Sequence, residues 1–427
     1  MNTGTTDRRW RLIPPGYRPV LRNRRFMRLL PGLLISRFGD GMGGVALTWL
    51  ALQLAPADQR GQVVGLALAA YVLPGALSGL LLGRWCARLD SRTLLLTDAL
   101  LRAALLSSIM VLHRFDALSS FGYIGILAVS SLFHTWGMGA RTAVVAELVD
   151  AEEDRRAANS LLYSGGHLSL ILGPAVAGLL ATLIGPDAVL ATNGLCFLVL
   201  AVSLVGFPRL GTPPAEEAGG LGSMLPGLRA LFGNVRVATL IVMTFVVAVI
   251  ATPVDVALPV YVADVLGGSA STLGLFWTLY GVGGLVGAIL GGALRRIPLW
   301  PATIAIAFGC GAAVLPLGLT AMLLPALIGF AISGFVFAPY PALSITLLQQ
   351  SIPAAAMVAA GTAWSSMVLV AEPIGAALGG AMVQRLGPQP TILISAFAMM
   401  GVALLACLPS LFSRLTRRPQ PIGARDA

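Results

Sequence analysis

Long apolar runs alternate with short polar loops along almost the whole chain. About 17–25 apolar residues are enough for a helix to cross the hydrocarbon core of a bilayer, and the chain holds twelve runs of roughly that length or longer. Glycine and proline lie within the runs, which membrane helices tolerate better than soluble helices do. The pattern predicts an all-α membrane protein with twelve transmembrane helices. The predicted spans are 29–54, 62–83, 93–112, 119–146, 157–184, 188–208, 237–262, 271–294, 301–318, 323–349, 357–384 and 390–412.

The apolar pattern is also repeated within the chain. When the register is shifted by 209, residues 272–297 align with the first part of the stretch 63–92, and residues 172–186 align with 374–388 at a shift of 202. Duplicated helical domains are typical of transporters, so we expect two pseudo-symmetric halves of six helices each. The aligned pairs are Gly65 with Gly274, Tyr71 with Tyr280, Gly75 with Gly284, Gly83 with Gly292, Gly173 with Gly375, Gly178 with Gly380, Gly185 with Gly387 and Pro186 with Pro388.

Composition excludes an ordinary soluble protein. The 427 residues are 57% hydrophobic and only 11% charged, far from the usual balance of globular domains. The net charge of +10 comes from arginine alone, in short loops between apolar runs, so a nucleic-acid partner is not indicated. Four cysteines lie far apart in sequence without a C-x-x-C spacing, which argues against a disulfide framework and a metal site. They are Cys86, Cys196, Cys310 and Cys407.

The loops divide the chain into five parts. We expect an arginine-rich leader at 1–28, a first six-helix half at 29–208, a linker at 209–236, a second half at 237–412 and a tail at 413–427. The linker carries paired prolines, glutamates and glycines, as connecting segments do. Its 225–234 stretch has the character of an interfacial helix.

Arginine counts predict the orientation in the membrane. Twenty-two arginines fall on the side of the leader and the 2–3 loop, and three, Arg60, Arg114 and Arg385, fall on the other side. Cytoplasmic loops carry the excess of basic residues, so both termini are predicted to be cytoplasmic. No signal-peptide cleavage pattern follows the leader. We therefore expect a multi-pass protein of the bacterial plasma membrane.

Two six-helix halves with cytoplasmic termini and a charged 2–3 loop resemble the major facilitator superfamily. Its loop motif, G-x-x-x-D-R-x-G-R-R, is matched at Gly83, Arg88 and Arg92, while Ala87 stands at the aspartate position. In the superfamily that aspartate caps a helix and bonds across the halves to hold the outward-open state. The resemblance therefore implies a gate at this loop from which one member is missing.

The fifth span resembles the antiporter motif of drug exporters, G-P-x-x-G-G, at Gly173, Pro174 and Gly178, with Ala177 in place of one glycine. Proline kinks a helix and glycine permits close approach of a neighbour, so we expect Gly173 to seal span 5 against span 8. A plain packing kink is the alternative. The stretches SRFGD (36–40), LLLTDALLRA (94–103) and AAN (157–159) resemble the third drug:proton antiporter family. That family exports macrolides, other antibiotics and siderophores.

Charged residues inside spans are functional candidates, because a charge at the bilayer centre costs about 2.5–3.5 kcal/mol on insertion scales. Arg37 and Asp40 lie three residues apart on one face of span 1, which the resemblance places at the central cavity. We expect an ion pair that contacts substrate or senses the gate. The alternative is a pair that only pins span 1 to a neighbour. Asp98 and Arg102 are spaced i,i+4 in span 3, where a structural pair that braces the 2–3 loop is the favoured interpretation.

Two charges close span 4 near the cytoplasmic side. Arg141 and Glu147 are predicted to join an inner gate with Arg88 and Arg92. Solvated or snorkelling helix ends are the equally weighted alternative.

Two lone carboxylates lie in the second half. Asp255 takes the place of Gly44 in the alignment of spans 7 and 1 and lies towards the outer face. It either binds a proton or cation at the outer mouth or is an interfacial carboxylate in contact with water. Glu372 is near mid-membrane, 15 residues from Met357, with no arginine within four residues. Pro373 removes the next helical donor, and a carboxylic acid buried without a cation favours its neutral form. Glu372 is the predicted proton site, with Asp40 as the second choice.

Further polar and aromatic residues fall on spans that line or flank the expected cavity. Histidines alone in a bundle are more often packing residues than proton relays, and aromatic residues also anchor membrane helices. An apolar cavity with few polar groups nevertheless suits amphipathic ligands. The residues are Trp49, His134, Trp136, His167, Tyr340 and Trp364.

The sequence as a whole favours a secondary exporter of hydrophobic or amphipathic small molecules, driven by inward proton flow. A dedicated siderophore or natural-product exporter is the alternative within transport. An intramembrane lipid-modifying enzyme is the remote alternative, because the carboxylates are scattered one per helix. No phosphate-binding loop, G-x-x-x-x-G-K-[ST], occurs, and no cofactor is expected. The expected partners are the substrate, protons and membrane lipids, with a monomer as the expected oligomeric state.

Overall fold

The computed structural model describes residues 14–81, 86, 88–149, 151–207, 232–233, 235–291, 298–352 and 357–415. A 3-10 turn at Pro15–Tyr17 and a short helix at Arg18–Arg22 precede the bundle. The long helices are α1 (Arg24–Leu54), α2 (Arg60–Leu81), α3 (Ser91–Arg114), α4a (Ser120–Ser130), α4b (His134–Leu148), α5 (Glu152–Ile184), α6 (Pro186–Leu204), α7 (Val235–Val260), α8 (Ala270–Gly291), α9 (Leu299–Leu319), α10a (Leu323–Phe337), α10b (Tyr340–Ser351), α11 (Met357–Leu386) and α12 (Pro388–Leu415). A π-helical turn at Tyr261–Val265 extends α7. The all-α fold class is confirmed.

Each predicted span corresponds to one helix or to one pair of helical pieces. Among the described residues, ten segments are long and apolar enough to cross a membrane. Two of the twelve predicted spans are not among these ten segments. The first span is α1, which carries Arg37 and Asp40 within its apolar sequence. The fourth span is divided into α4a and α4b by a break between Ser130 and His134. The break is held by the Ser131 hydroxyl, which donates to the carbonyl oxygen of Ala70 in α2 at 3.2 Å.

The two halves repeat one packing scheme. In the first half α1 packs against α5 and α6, and α3 packs against α6; in the second, α7 packs against α11 and α12, and α9 against α12. The halves meet mainly through two helix pairs, α2 with α11 and α5 with α8. We call the end of the bundle that holds the start of α1 and the α2–α3 loop the arginine-rich end. The end that holds the α1–α2 and α7–α8 loops is the arginine-poor end.

Glycines bring the backbones of the two halves together. A Cβ atom added to Gly65 would lie 2.8 Å from the Cα of Gly380, and one added to Gly178 would lie 3.1 Å from the Cα of Gly274. Any side chain at these positions would force the helices apart. The register shifts of the sequence repeat align Gly65 with Gly274 and Gly178 with Gly380. Each of the two contacts is therefore the counterpart of the other in the repeat. The predicted internal symmetry is therefore present in the packing.

An ion pair joins the halves beside these contacts. Arg60, at the start of α2, donates to Asp264 in the turn after α7, and both side chains are partly exposed. Arg60, Gly65, Gly178 and Gly274 all lie in the arginine-poor half of their helices. The described contacts between the halves therefore close the arginine-poor end.

The prediction that Gly173 seals span 5 against span 8 is wrong. A Cβ on Gly173 would lie 2.6 Å from the carbonyl carbon of Gly41, in α1 of the same half. Gly178 lies five residues further along the helix, which turns it by about 140° to the opposite side, and there it meets α8. A Cβ on Gly274 would in turn collide with the carbonyl oxygen of Pro174. Pro174 and Gly178, and not Gly173, form the seal.

Substituting Gly178 by valine should open the arginine-poor end, because the added side chain has no room against Ala270 and Gly274. The measurement is the reactivity of a cysteine in place of Gln384, an exposed residue at this end of α11, towards a membrane-impermeant maleimide. We expect faster labelling than in the parent. Gly401→Val is the control, since nothing lies within 4 Å of that position. Equal labelling in the two variants would contradict the seal.

The fold places the two ends of α3 on opposite sides of the membrane, since its 24 residues span about 36 Å. Cysteines in place of Arg88 and Ala117, both exposed, should react with impermeant reagent from opposite sides of sealed vesicles. A background without the four native cysteines serves as the control. Labelling of both positions from one side would contradict the topology.

Candidate functional site

Each half contains a cavity. The N-half cavity, about 410 Å³, lies among α1, α4b and α5. The C-half cavity, about 500 Å³, lies among α7 to α12 with one wall from α2. Both lie on the arginine-rich side of the glycine contacts, because they are lined by the middle and arginine-rich portions of their helices. We take the two cavities together as the candidate functional site.

Arg102 is the centre of a buried polar cluster beside the N-half cavity. Its side chain is 1% exposed, and its Nε donates to Asp98 at 3.1 Å. Its Nη1 lies 3.3 Å from both the Asp40 carboxylate and the Tyr71 hydroxyl, and its Nη2 contacts His134 Nδ1. The predicted Asp98–Arg102 pair is confirmed. The cluster ties together four helices, α1, α2, α3 and α4b.

The predicted ion pair between Arg37 and Asp40 is not formed in the structure. Asp40 turns instead to Arg102 and to Arg141, whose Nη1 lies 3.7 Å from its second oxygen. The reason is competition, because a carboxylate on α1 that faces the bundle meets guanidinium groups from α3 and α4b. Arg141 therefore belongs to this cluster, and its role in a gate with Arg88 and Arg92 stays a prediction.

Two arginines face the N-half cavity without full partners. Arg141 is 6% exposed, and its Nε and Nη1 make no hydrogen bond within the described part of the chain. Arg37 is half-buried and forms no ion pair with any described residue. His167 lines the same cavity. The N-half cavity is therefore lined by two arginines and a histidine together with the Asp40 carboxylate.

The C-half cavity holds two carboxylates. Glu372 lies on a face of α11 that also presents Trp364 and Val368, four residues apart, and Asp255 reaches the same cavity from α7. The two carboxylates therefore face the same space. Neither forms an ion pair or hydrogen bond with a residue that the structure describes. The remaining wall is mostly apolar, so this cavity is acidic and otherwise weakly polar.

Asp255 and Glu372 thus come together, although sequence reasoning treated them separately. Asp255 lies two residues beyond Pro253, which packs against Gly379 at the arginine-poor side. That position agrees with the expectation that Asp255 lies towards this face. Their meeting depends on the packing of α7 on α11, which a single sequence does not reveal.

The six aromatic and polar candidates have different positions. Tyr340 and Trp364 line the C-half cavity, and the Tyr340 hydroxyl lies 2.7 Å from that of Thr244. Trp136 donates to the Ser78 carbonyl oxygen at 3.4 Å and so fastens α4b to α2. Trp49 packs against the apolar core. Trp49 and Trp136 line neither cavity, while His134 belongs to the Arg102 cluster and His167 to the N-half cavity.

The predicted gate at the 2–3 loop is only partly described. Gly83 and Ala87 lie outside the described residues, and Arg88 is exposed. Arg92 donates from Nε to the Leu204 carbonyl oxygen of α6 at 3.1 Å. Glu147 accepts from Ser91 at 3.3 Å. These bonds lie within the first half, and the gating role stays a prediction.

The Arg60–Asp264 ion pair was missed by sequence reasoning. Its members lie at helix ends in different halves, so no spacing signal connects them. Among the described residues, no group of three His, Cys, Asp or Glu residues is placed to hold a metal ion.

Comparison with known proteins identifies the family. A family model described as Major Facilitator Superfamily matches residues 29–372. The chain belongs to the major facilitator superfamily. It is 26% identical to the multidrug efflux pump Tap of Mycolicibacterium fortuitum over 389 residues, which cover 88% of this chain and 94% of that protein. It is also 26% identical to the enterobactin exporter EntS of Escherichia coli O1:K1 / APEC, over 69% of this chain and 71% of that protein.

Solved structures of superfamily members share the fold. A bacterial homologue of the iron transporter ferroportin, in an inward-facing state, aligns with a TM-score of 0.68 at 18% identity over 92% of this chain and 99% of that one. The nucleoside transporter NupG aligns with a TM-score of 0.69 at 14% identity over 92% of this chain and 100% of that one.

Replacing Arg102 by glutamine should strongly destabilise this superfamily member, because Asp98 would remain as a buried charge without its guanidinium. Breaking a buried pair costs about 3–5 kcal/mol. Thermal unfolding in detergent should show a large fall in Tm, with part of it restored by adding Asp98→Asn. Arg156→Gln, in an exposed pair with Glu152, should have little effect. A double variant no more stable than the single one would contradict the pairing.

Proposed function

We propose that the protein exports hydrophobic or amphipathic small molecules across the bacterial plasma membrane by exchange for protons. The observation that carries the proposal is the C-half cavity, where Glu372 and Asp255 face apolar and aromatic walls without a described cation partner. Ionised carboxylates in such a place are costly, so proton uptake and release there are coupled to what else fills the cavity. The similarity to Tap and EntS supports export as the direction.

The arginine-rich end is the cytoplasmic one in this proposal, since basic loops favour the cytoplasm. The glycine contacts and the Arg60–Asp264 pair then close the outer end, and both cavities lie on the cytoplasmic side of that closure. Substrate enters from the cytoplasm or the inner leaflet. Rocking of the halves that separates the glycine contacts would then expose the cavities to the outside.

Glu372 is the proton site in this proposal, as the sequence predicted. Outside, at high proton concentration, the acid takes up a proton as substrate leaves; inside, substrate arrival drives the proton off. Other titratable groups also face the C-half cavity, namely Asp255 from α7, Tyr280 from α8, Cys310 from α9 and Tyr340 from α10b. Among these groups, Asp255 is the other carboxylic acid, and when ionised it adds to the negative charge of the cavity.

A dedicated siderophore or natural-product exporter remains the second candidate. The observation that favours it is the pair of arginines in the N-half cavity, Arg37 and Arg141, because guanidinium groups bind acidic oxygens well. A broad drug exporter would transport several unrelated compounds. A dedicated exporter would transport one chemical class.

The test is transport into energised inverted vesicles, with a panel of antibiotics and siderophores and with pH varied from 6 to 8. We expect Glu372→Gln to abolish proton-driven accumulation while substrate binding remains, and Glu372→Asp to keep part of the activity. Glu153→Gln, at an exposed position on α5, is the matched control and should transport normally. Full pH-dependent transport by Glu372→Gln would remove Glu372 from the mechanism and shift the proton site to Asp40.

A further inference from the structure

The two cavities carry opposite charge. Beside the N-half cavity, three arginines face two aspartates: Arg37, Arg102 and Arg141 against Asp40 and Asp98. In the C-half cavity, two carboxylates face no described cation. With the acids ionised, the first site has one excess positive charge and the second has two negative charges.

The internal repeat shows that packing does not require these charges. Extending the alignment of spans 1 and 7 places Arg37 on Ala248 and Asp40 on Ala251, and both alanines line the C-half cavity. The shift of 202 places Glu372 on Leu170, which lines the N-half cavity. Each half therefore has small or apolar residues where the other half has charges.

Arg141 has the features of a ligand group that lacks its ligand. It is 6% exposed, its Nε and Nη1 are unpartnered among the described residues, and its closest anion, Asp40, lies 3.7 Å away and also serves Arg102. Leaving such donors unpaired is costly. An acidic oxygen in the cavity would satisfy them, and Arg37 would add a second cationic contact.

Helix α2 lies between the Arg102 cluster and the C-half cavity. Tyr71 of α2 accepts a hydrogen bond from Arg102 in the N-half cluster, while Leu68 and Val72 of the same helix line the C-half cavity. A single amphipathic molecule that extends past α2 from one cavity to the other would meet Arg37 and Arg141 at one end and Asp255 and Glu372 at the other.

We propose that the substrate is a dipolar amphiphile, whose acidic group binds Arg37 and Arg141 and whose cationic group binds Glu372 and Asp255. The inference rests on the proposed export function for its physiological meaning, but the recognition itself is an equilibrium property. A molecule with only one of the two charges leaves one site uncompensated. It therefore binds more weakly than its zwitterionic counterpart.

The test uses two dyes of almost the same shape. Tetramethylrhodamine carries a carboxylate and a delocalised cation, while its ethyl ester is a cation without the carboxylate. Their binding to the purified protein in lipid nanodiscs is measured by fluorescence anisotropy at pH 7, with no proton gradient. We expect the zwitterion to bind about tenfold more tightly than the ester, the gain of one charge-assisted contact.

Three variants assign the contacts. Arg37→Gln should reduce the preference for the zwitterion by weakening only that dye, since Arg141 remains, whereas Arg37→Lys should keep the preference. Glu372→Gln should weaken both dyes by a similar factor. Arg385→Gln, on an exposed position of α11, is the control and should change neither.

Equal affinity of the dyes for the parent protein would overturn the proposal, as would failure of both to bind. An Arg37→Gln variant that weakens both dyes equally would also overturn it. If the protein prefers the zwitterion but shows no proton-driven transport in vesicles, the proposed proton coupling is contradicted and dipolar recognition is still supported.

Discussion

The structure depends on the close approach of backbones where the two halves meet. At Gly65 against Gly380, and at Gly178 against Gly274, no room exists for a Cβ atom. Within a bilayer, packing and not water exclusion holds helices together, so these contacts decide how the halves are oriented. Because the sequence repeat exchanges one contact for the other, they form a symmetric pair. Such a pair suits a closure that two similar bodies make and break as they rock.

Function is built on the differences between halves that are otherwise alike. The internal repeat accounts for the fold that the two halves share, whereas the charged residues differ between them. Arg37 and Arg141 line the cavity of the first half, and Asp255 and Glu372 line that of the second. The Arg102 cluster is largely compensated internally and so stabilises the first half. The carboxylates of the second half have no described counter-charge, which is why we propose that they exchange protons or cationic ligands.

Sequence reasoning predicted the elements better than their partners. Hydropathy and the length of about 20 residues that a membrane span requires predict the helices, and the repeat predicts the two halves. The Asp98–Arg102 pair was predictable because i,i+4 spacing is local. The partners of Asp40 and the neighbours of Gly173 were predicted wrongly, since they depend on which side of a helix meets which neighbour. The neighbours of each helix face are determined by packing across the bundle. The residues in contact are far apart in sequence, and a single sequence does not reveal that they meet.

The central claim is that the glycine contacts form a closure between two moving halves, which separates when the arginine-poor end opens. Spin labels report it most directly, at Asp58 and Gln384 across the arginine-poor end and at Glu153 and Gln350 across the arginine-rich end, all exposed positions. Double electron–electron resonance distances would be compared in nanodiscs at pH 6 and pH 8. The account predicts that the two mean distances change in opposite directions, one lengthening as the other shortens. Changes in the same direction, or a change at one end alone, would contradict it.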